Sequence, residues 1–149
     1  MFGRTDVNLV DVQTNPLGLD REDPASADDV TTINQLHLPV GKPVLIHLST
    51  KDVLHSFYLP EMRVKQDAVP GIVVRVWFEP TVTTTDMRTQ KGNDKFGYEI
   101  GCAQLCGLGH YRMKGFLTVH AQDEFDSWMA ERQEENKPKE GEEGDEFWG

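Results

Sequence analysis

The sequence predicts an all-β chain, an antiparallel Greek-key β-sandwich with one short helix near its C-terminal end. Strand-like segments recur at short spacing with no helices between them, which favours a sandwich over βαβ units. Val44, Ile46 and Leu48 alternate with Leu45 and His47 at the period of a half-buried strand. Behind Asp123, by contrast, Phe125, Trp128, Met129 and Arg132 recur at helical spacing.

Each element follows from local chemistry. Residues 7–12 alternate weakly and read as an edge strand, and residues 15–29, rich in Pro, Gly and Asp, read as a surface loop. Residues 33–40 and 43–49 read as consecutive strands joined by a turn at Gly41-Lys42, and Pro60 should end pairing after the stretch that contains His55. Pro70-Gly71 marks a tight turn, and residues 72–79 form a β-branched and aromatic run suited to a central strand. Trp77 and Phe78 are adjacent there, so one must point into the core. Residues 81–93 are polar and read as turns. Residues 95–100 lead into the loop described below, and residues 116–119 lead away from it. The helix capped by Asp123 should dock on the sandwich and end before Pro138. His37, His47 and His120 read as solvent-facing or hydrogen-bonded imidazoles of the strands.

A length of 149 residues with 38% hydrophobic content suits one domain. We expect it to occupy residues 1–130, with 1–32 as an irregular lead-in. No run approaches the roughly 18 apolar residues that span a bilayer. The formal charge is -10, and residues 131–146, with eight acidic and three basic side chains, carry half of it. Such an end, residues 131–149, reads as a disordered acidic tail. The sign of the charge disfavours nucleic-acid binding and favours a basic partner.

Chemistry concentrates in G-C-A-Q-L-C-G-L-G-H-Y-R-M, residues 101–113, which holds the only two cysteines. Thiolate, imidazole and thioether are the ligands that copper prefers. Glycines at 101, 107 and 109 disfavour a regular helix, so the stretch reads as a ligand loop. Cys106, His110 and Met113 fit the order of donors in a mononuclear copper site, and Cys102 is then one thiolate too many. Two thiolates on one loop can bridge two coppers, with one imidazole for each metal. The second imidazole must come from elsewhere, and His55 is the upstream candidate. A disulfide is the simpler use of two cysteines, but it leaves the flanking His and Met without a purpose.

Three segments make the pattern specific: D-V-L-H-S-F at residues 52–57, K-Q-D-A-V-P-G at 65–71, and C-A-Q-L-C-G-L-G-H-Y-R-M at 102–113. In this order they resemble the CuA domain of cytochrome c oxidase subunit II, over roughly residues 36–128. The resemblance implies a cupredoxin fold and a dinuclear copper centre. Its bridging thiolates would be Cys102 and Cys106, its imidazoles His55 and His110, and its weak thioether Met113. The backbone carbonyl of Gln104 would be a further weak ligand. The family usually carries glutamate at that position, where the carboxylate also serves a magnesium site, so Gln104 puts that contact in doubt and leaves the copper ligand intact. The resemblance further implies electron transfer from a soluble carrier such as cytochrome c to haem in the catalytic subunit, on the periplasmic face of a bacterial inner membrane. It implies a chain trimmed from a membrane-anchored parent. Asp52 and Asp67 are candidates for docking contacts, or simply turn-forming or ion-paired residues. The family's aromatic cluster for electron entry has no counterpart near the start of this chain.

Three other readings use the same residues: a copper chaperone or thiol oxidoreductase of thioredoxin fold, a structural zinc site on two cysteines and two histidines, and the CuA domain of nitrous oxide reductase. The first needs βαβ units, the second gives Met113 no role, and the third matches the upstream segments less well.

Overall fold

The computed structural model of the chain describes residues 2–136; the acidic tail lies outside them from residue 137 onward. The described residues form two compact units, one built from the lead-in up to Thr31 and the segment 128–136, the other from Thr32–Ser127.

The second unit contains β1 (Gln35–Pro39), β2 (Val44–Leu48), β3 (His55–Leu59), β4 (Val64–Ala68), β5 (Val74–Phe78), α1 (Thr84–Lys91), β6 (Tyr98–Cys102) and β7 (Lys114–His120), and then the start of α2 (Gln122–Asn136). Five strands form one sheet in the order β1-β7-β6-β3-β4, and β2 pairs with β5 in another. Every pairing is antiparallel except β1 with β7. Leu38, Leu59, Tyr98, Leu117 and Val119 from the large sheet and Phe78 from the small one form one buried cluster, with Val44 and Ile46 packed against it. This is the expected sandwich.

The alternation read from the sequence holds in the small sheet. Val44 lies opposite Phe78 and Ile46 opposite Val76, while Leu45 faces Trp77 on the other side. Phe78 is therefore the core residue of the adjacent aromatic pair, and Trp77 stays 73% exposed.

Three expectations fail for identifiable reasons. Residues 7–12 form no strand, because aspartate side chains take the local amides: Asp6 accepts from the Asn8 N–H at 2.8 Å and Asp11 from the Thr14 N–H at 2.7 Å. The supposed turns of residues 81–93 contain α1. Thr83 caps it by accepting from the Asp86 N–H, and Gly92 ends it in the left-handed conformation. Asp123 lies in the first turn of α2, and Glu124 reaches back to the Ala121 N–H at 3.3 Å.

The topology fixes where the loop falls. β6 and β7 are antiparallel neighbours, so residues 103–113 close one end of the large sheet. β3 runs antiparallel on the other side of β6, with Phe57 opposite Cys102. The first residue of β3, His55, therefore sits beside the last residue of β6.

Candidate metal centre

The ladder between β3 and β6 continues past the strand end, where Ala103 N–H donates to the Ser56 carbonyl at 3.0 Å. That bond holds Cys102 against His55, with the sulfur 3.8 Å from His55 Nδ1. The loop then turns back so that Cys106 Sγ comes within 3.6 Å of Cys102 Sγ. Both cysteines are free thiols. Gly107, at φ +127°, makes the reversal that a side chain would strain. A short 3-10 turn, His110–Arg112, then brings His110 Nδ1 to 3.5 Å and Met113 Sδ to 3.8 Å from Cys106 Sγ. The Gln104 carbonyl lies 3.2 Å from Cys102 Sγ. All six residues singled out in the sequence meet in one place.

The donors divide into two matching sets. Cys102 has His55 and the Gln104 carbonyl beside it, and Cys106 has His110 and Met113. A cleft of about 530 Å³, lined on the core side by Leu36, Ile46, Phe57 and Ile100, reaches His55, Cys102 and Met113. On the outer side Leu105, Leu108 and Tyr111 project into solvent and form an apolar rim.

Asp52 has a role that the sequence reading left open. Its carboxylate lies 2.8 Å from His55 Nε2, which directs Nδ1 toward the sulfur. That hydrogen bond is the chief reason the Asp52 carboxyl is held down to about 2, and the chief reason the His55 imidazole is raised. The D-x-x-H spacing was the available signal. Burial pushes the Cys102 thiol up, but hydrogen bonds from the Ser56 and Gln104 backbone, from His55 and from Cys106 outweigh it and bring Cys102 down to about 6. Cys106 is raised, by partial burial first and then by the neighbouring sulfur.

In the metal-free protein, Asp52→Asn should lower the His55 imidazole pKa, since removing a carboxylate disfavours the imidazolium. An NMR titration of the ring would read this directly, and an unmoved midpoint would contradict the assigned hydrogen bond.

A two-sheet sandwich whose end loop gathers thiols, imidazoles and a thioether defines a cupredoxin-like domain with a soft-metal site. The family profile described as "Cytochrome C oxidase subunit II, periplasmic domain" matches residues 5–121, and the chain belongs to that copper-binding family. It is 40% identical over 132 residues to an alternative cytochrome c oxidase subunit 2 of Bradyrhizobium diazoefficiens, covering 88% of this chain and 43% of that one. It is 39% identical over 99 residues to a cytochrome c oxidase subunit 2 of Thermostichus vulcanus, covering 66% and 26% of the two chains. The chain thus spans less than half the length of these relatives. The periplasmic domain of subunit II of cytochrome oxidase from Bradyrhizobium japonicum superposes with a TM-score of 0.57 at 26% identity, over 78% of this chain and 74% of that one. The sandwich and these relatives do not favour a thioredoxin-type copper-delivery protein. No described helix is long and apolar enough to cross a membrane.

Proposed function

We propose that the chain is the electron-accepting domain of a haem-copper terminal oxidase, with a dinuclear copper centre on His55, Cys102, Gln104, Cys106, His110 and Met113. The observation that carries this reading is the doubling of the donor set: two unbonded sulfurs 3.6 Å apart, each with its own imidazole Nδ1 and its own weak donor. A single tetrahedral zinc would use the cysteines and histidines and leave Met113 Sδ, pointed at Cys106, without a function.

When bound, a pair of coppers held by Cys102, Cys106, His55 and His110 would supply a one-electron carrier in which the change of charge is divided between the metals. The protein's part is to keep the donors still, because ligand movement raises the barrier to electron transfer. β3, β6 and β7 clamp both ends of the loop, and Asp52 fixes the ring of His55. Met113 and the Gln104 carbonyl are weak donors that tune the potential more than they bind. The apolar rim of Leu105, Leu108 and Tyr111 suits docking of a soluble donor such as cytochrome c. From here the electron goes to haem in the catalytic subunit. The parent chain is membrane-anchored, with this domain on the periplasmic face of a bacterial inner membrane.

Metal analysis of the copper-reconstituted protein tests the proposal: two coppers per chain in the Cys102–Cys106 centre are expected, and one would refute it. Met113→Leu should retain both coppers and shift the reduction potential measured by voltammetry. Loss of a copper would instead make Met113 a principal ligand.

A further inference from the structure

Two loops meet at the metal centre. Residues 49–54 lead into His55, residues 103–113 join β6 to β7, and the 3.8 Å approach of His55 Nδ1 to Cys102 Sγ brings them together. Between them they expose Val53, Leu54, Leu105, Leu108 and Tyr111, with Leu108 99% and Tyr111 72% accessible. A cluster of exposed apolar side chains on a folded protein marks an interaction site. Tyr111 follows His110 directly in the chain, and Leu108 precedes it by two residues. A partner resting on them is therefore a short covalent path from that imidazole.

The same face is poor in negative charge. The two loops contain Lys51, Arg112 and a single carboxylate, Asp52. Asp52 is already engaged by His55, 2.8 Å from its Nε2, and the Arg112 guanidinium lies 5.2 Å from the centroid of the Tyr111 ring. The formal charge of -10 belongs to other parts of the chain. Residues 32–127 hold ten basic and ten acidic side chains, which leaves the whole excess to residues 1–31 and 128–149. Lysines ringing a donor's cofactor would find almost no carboxylate on these loops to pair with.

We propose that the electron donor is recognised at this face by apolar contact, not by lysine–carboxylate pairing. The partner is a small redox protein with a flat apolar surface around the exposed edge of its cofactor. This rests on the reading of the chain as an electron-accepting domain. Five side chains make a small patch, of the size used by transient redox encounters that bury less than about 1,200 Å² in total, so the donor can leave after each electron. The acidic residues elsewhere in the chain act on the approach of a basic donor, over distances that salt screens. Burial of Leu108 and Tyr111 in the encounter is not screened.

Stopped-flow reduction of the copper-loaded full chain by ferrous, lysine-rich cytochrome c tests this. Between about 0.1 and 1 M salt the screening length falls from about 10 Å to about 3 Å, and the second-order rate constant should change less than about threefold. Leu108→Ser should lower it at least about fivefold at both salt concentrations. Asp67→Asn, which neutralises an exposed carboxylate of β4, should leave it unchanged. Amide NMR of the metal-free chain, with the same ferrous cytochrome c added, should show shifts at residues 53–54 and 105–111 that weaken in Leu108→Ser. A tenfold fall with salt, a rate indifferent to Leu108→Ser, a loss with Asp67→Asn, or amide shifts confined to other surfaces would each overturn the proposal. The NMR titration needs no metal, and copper content is measured before the kinetics, so failure here is distinct from failure of the copper reading.

Discussion

Copper-loaded Cys106→Ser protein is expected to lose the purple absorption and the shared-spin hyperfine pattern in electron paramagnetic resonance. Cys106 is the junction of the site. Its sulfur is 3.6 Å from Cys102 Sγ, 3.5 Å from His110 Nδ1 and 3.8 Å from Met113 Sδ. A serine hydroxyl is a hard donor that stays protonated at neutral pH, so it cannot bridge soft metals. The substitution leaves Cys102, His55 and the Gln104 carbonyl, enough for one copper and no shared spin. The side chain is only partly buried, so folding should survive and the loss can be assigned to the site. An unaltered spectrum would remove the basis of the dinuclear reading.

Leu59→Ala should give the largest loss of stability. Leu59 ends β3 with no exposed surface, inside the cluster that joins the large sheet to Phe78 of the small one. Truncating a buried leucine costs roughly 2–5 kcal/mol, as transfer free energy and cavity add. That is a large part of the roughly 5–15 kcal/mol that holds a typical domain together. The Val64 pairing and the start of the turn at Pro60 follow directly, so the β3–β4 hairpin should loosen with it. Urea denaturation of the metal-free chain would read the change as a lower midpoint at similar slope. An unshifted midpoint would mean that Leu59 does not join the sheets as described.

The ligand loop was legible because its chemistry is local: four side-chain donors, the Gln104 carbonyl and the three glycines fall within residues 101–113. The small sheet was legible because one of its faces packs toward the core, which imposes strict alternation on half-buried Val44, Ile46 and Val76 and on buried Phe78. Where both faces mix polar and apolar groups, the signal faded. β4, read only as part of a motif, carries Lys65 and Asp67 on its exposed side and shows its period only through half-buried Val64 and Gln66 and buried Ala68. α1 had a usable marker in Thr83 and Asp86, yet its apolar face offers little beyond Met87, so its threonines resembled a loop. The hydrogen bond between His37 and His120 depends on the parallel register of β1 on β7, and no local pattern announces a partner so distant in the chain. Nor could composition decide which of two adjacent aromatics faces outward, since that rests on the register of β5 against β2.

The parallel pairing of the first and last strands of the large sheet bears on how the molecule is made. While the chain leaves the ribosome, β1 has no partner until the segment ending at His120 has emerged, and long-range pairing of this kind is slow. The stretch carrying both thiols is released before that closure, when β3 and β6 can already hold His55 beside Cys102 but the end of the loop that carries His110 and Met113 is not yet anchored by β7. Folding therefore passes through an interval in which Cys106 is open to oxidation and its half of the site is incomplete. Pulsed alkylation during refolding should show Cys106 losing reactivity later than Cys102, as β7 docks.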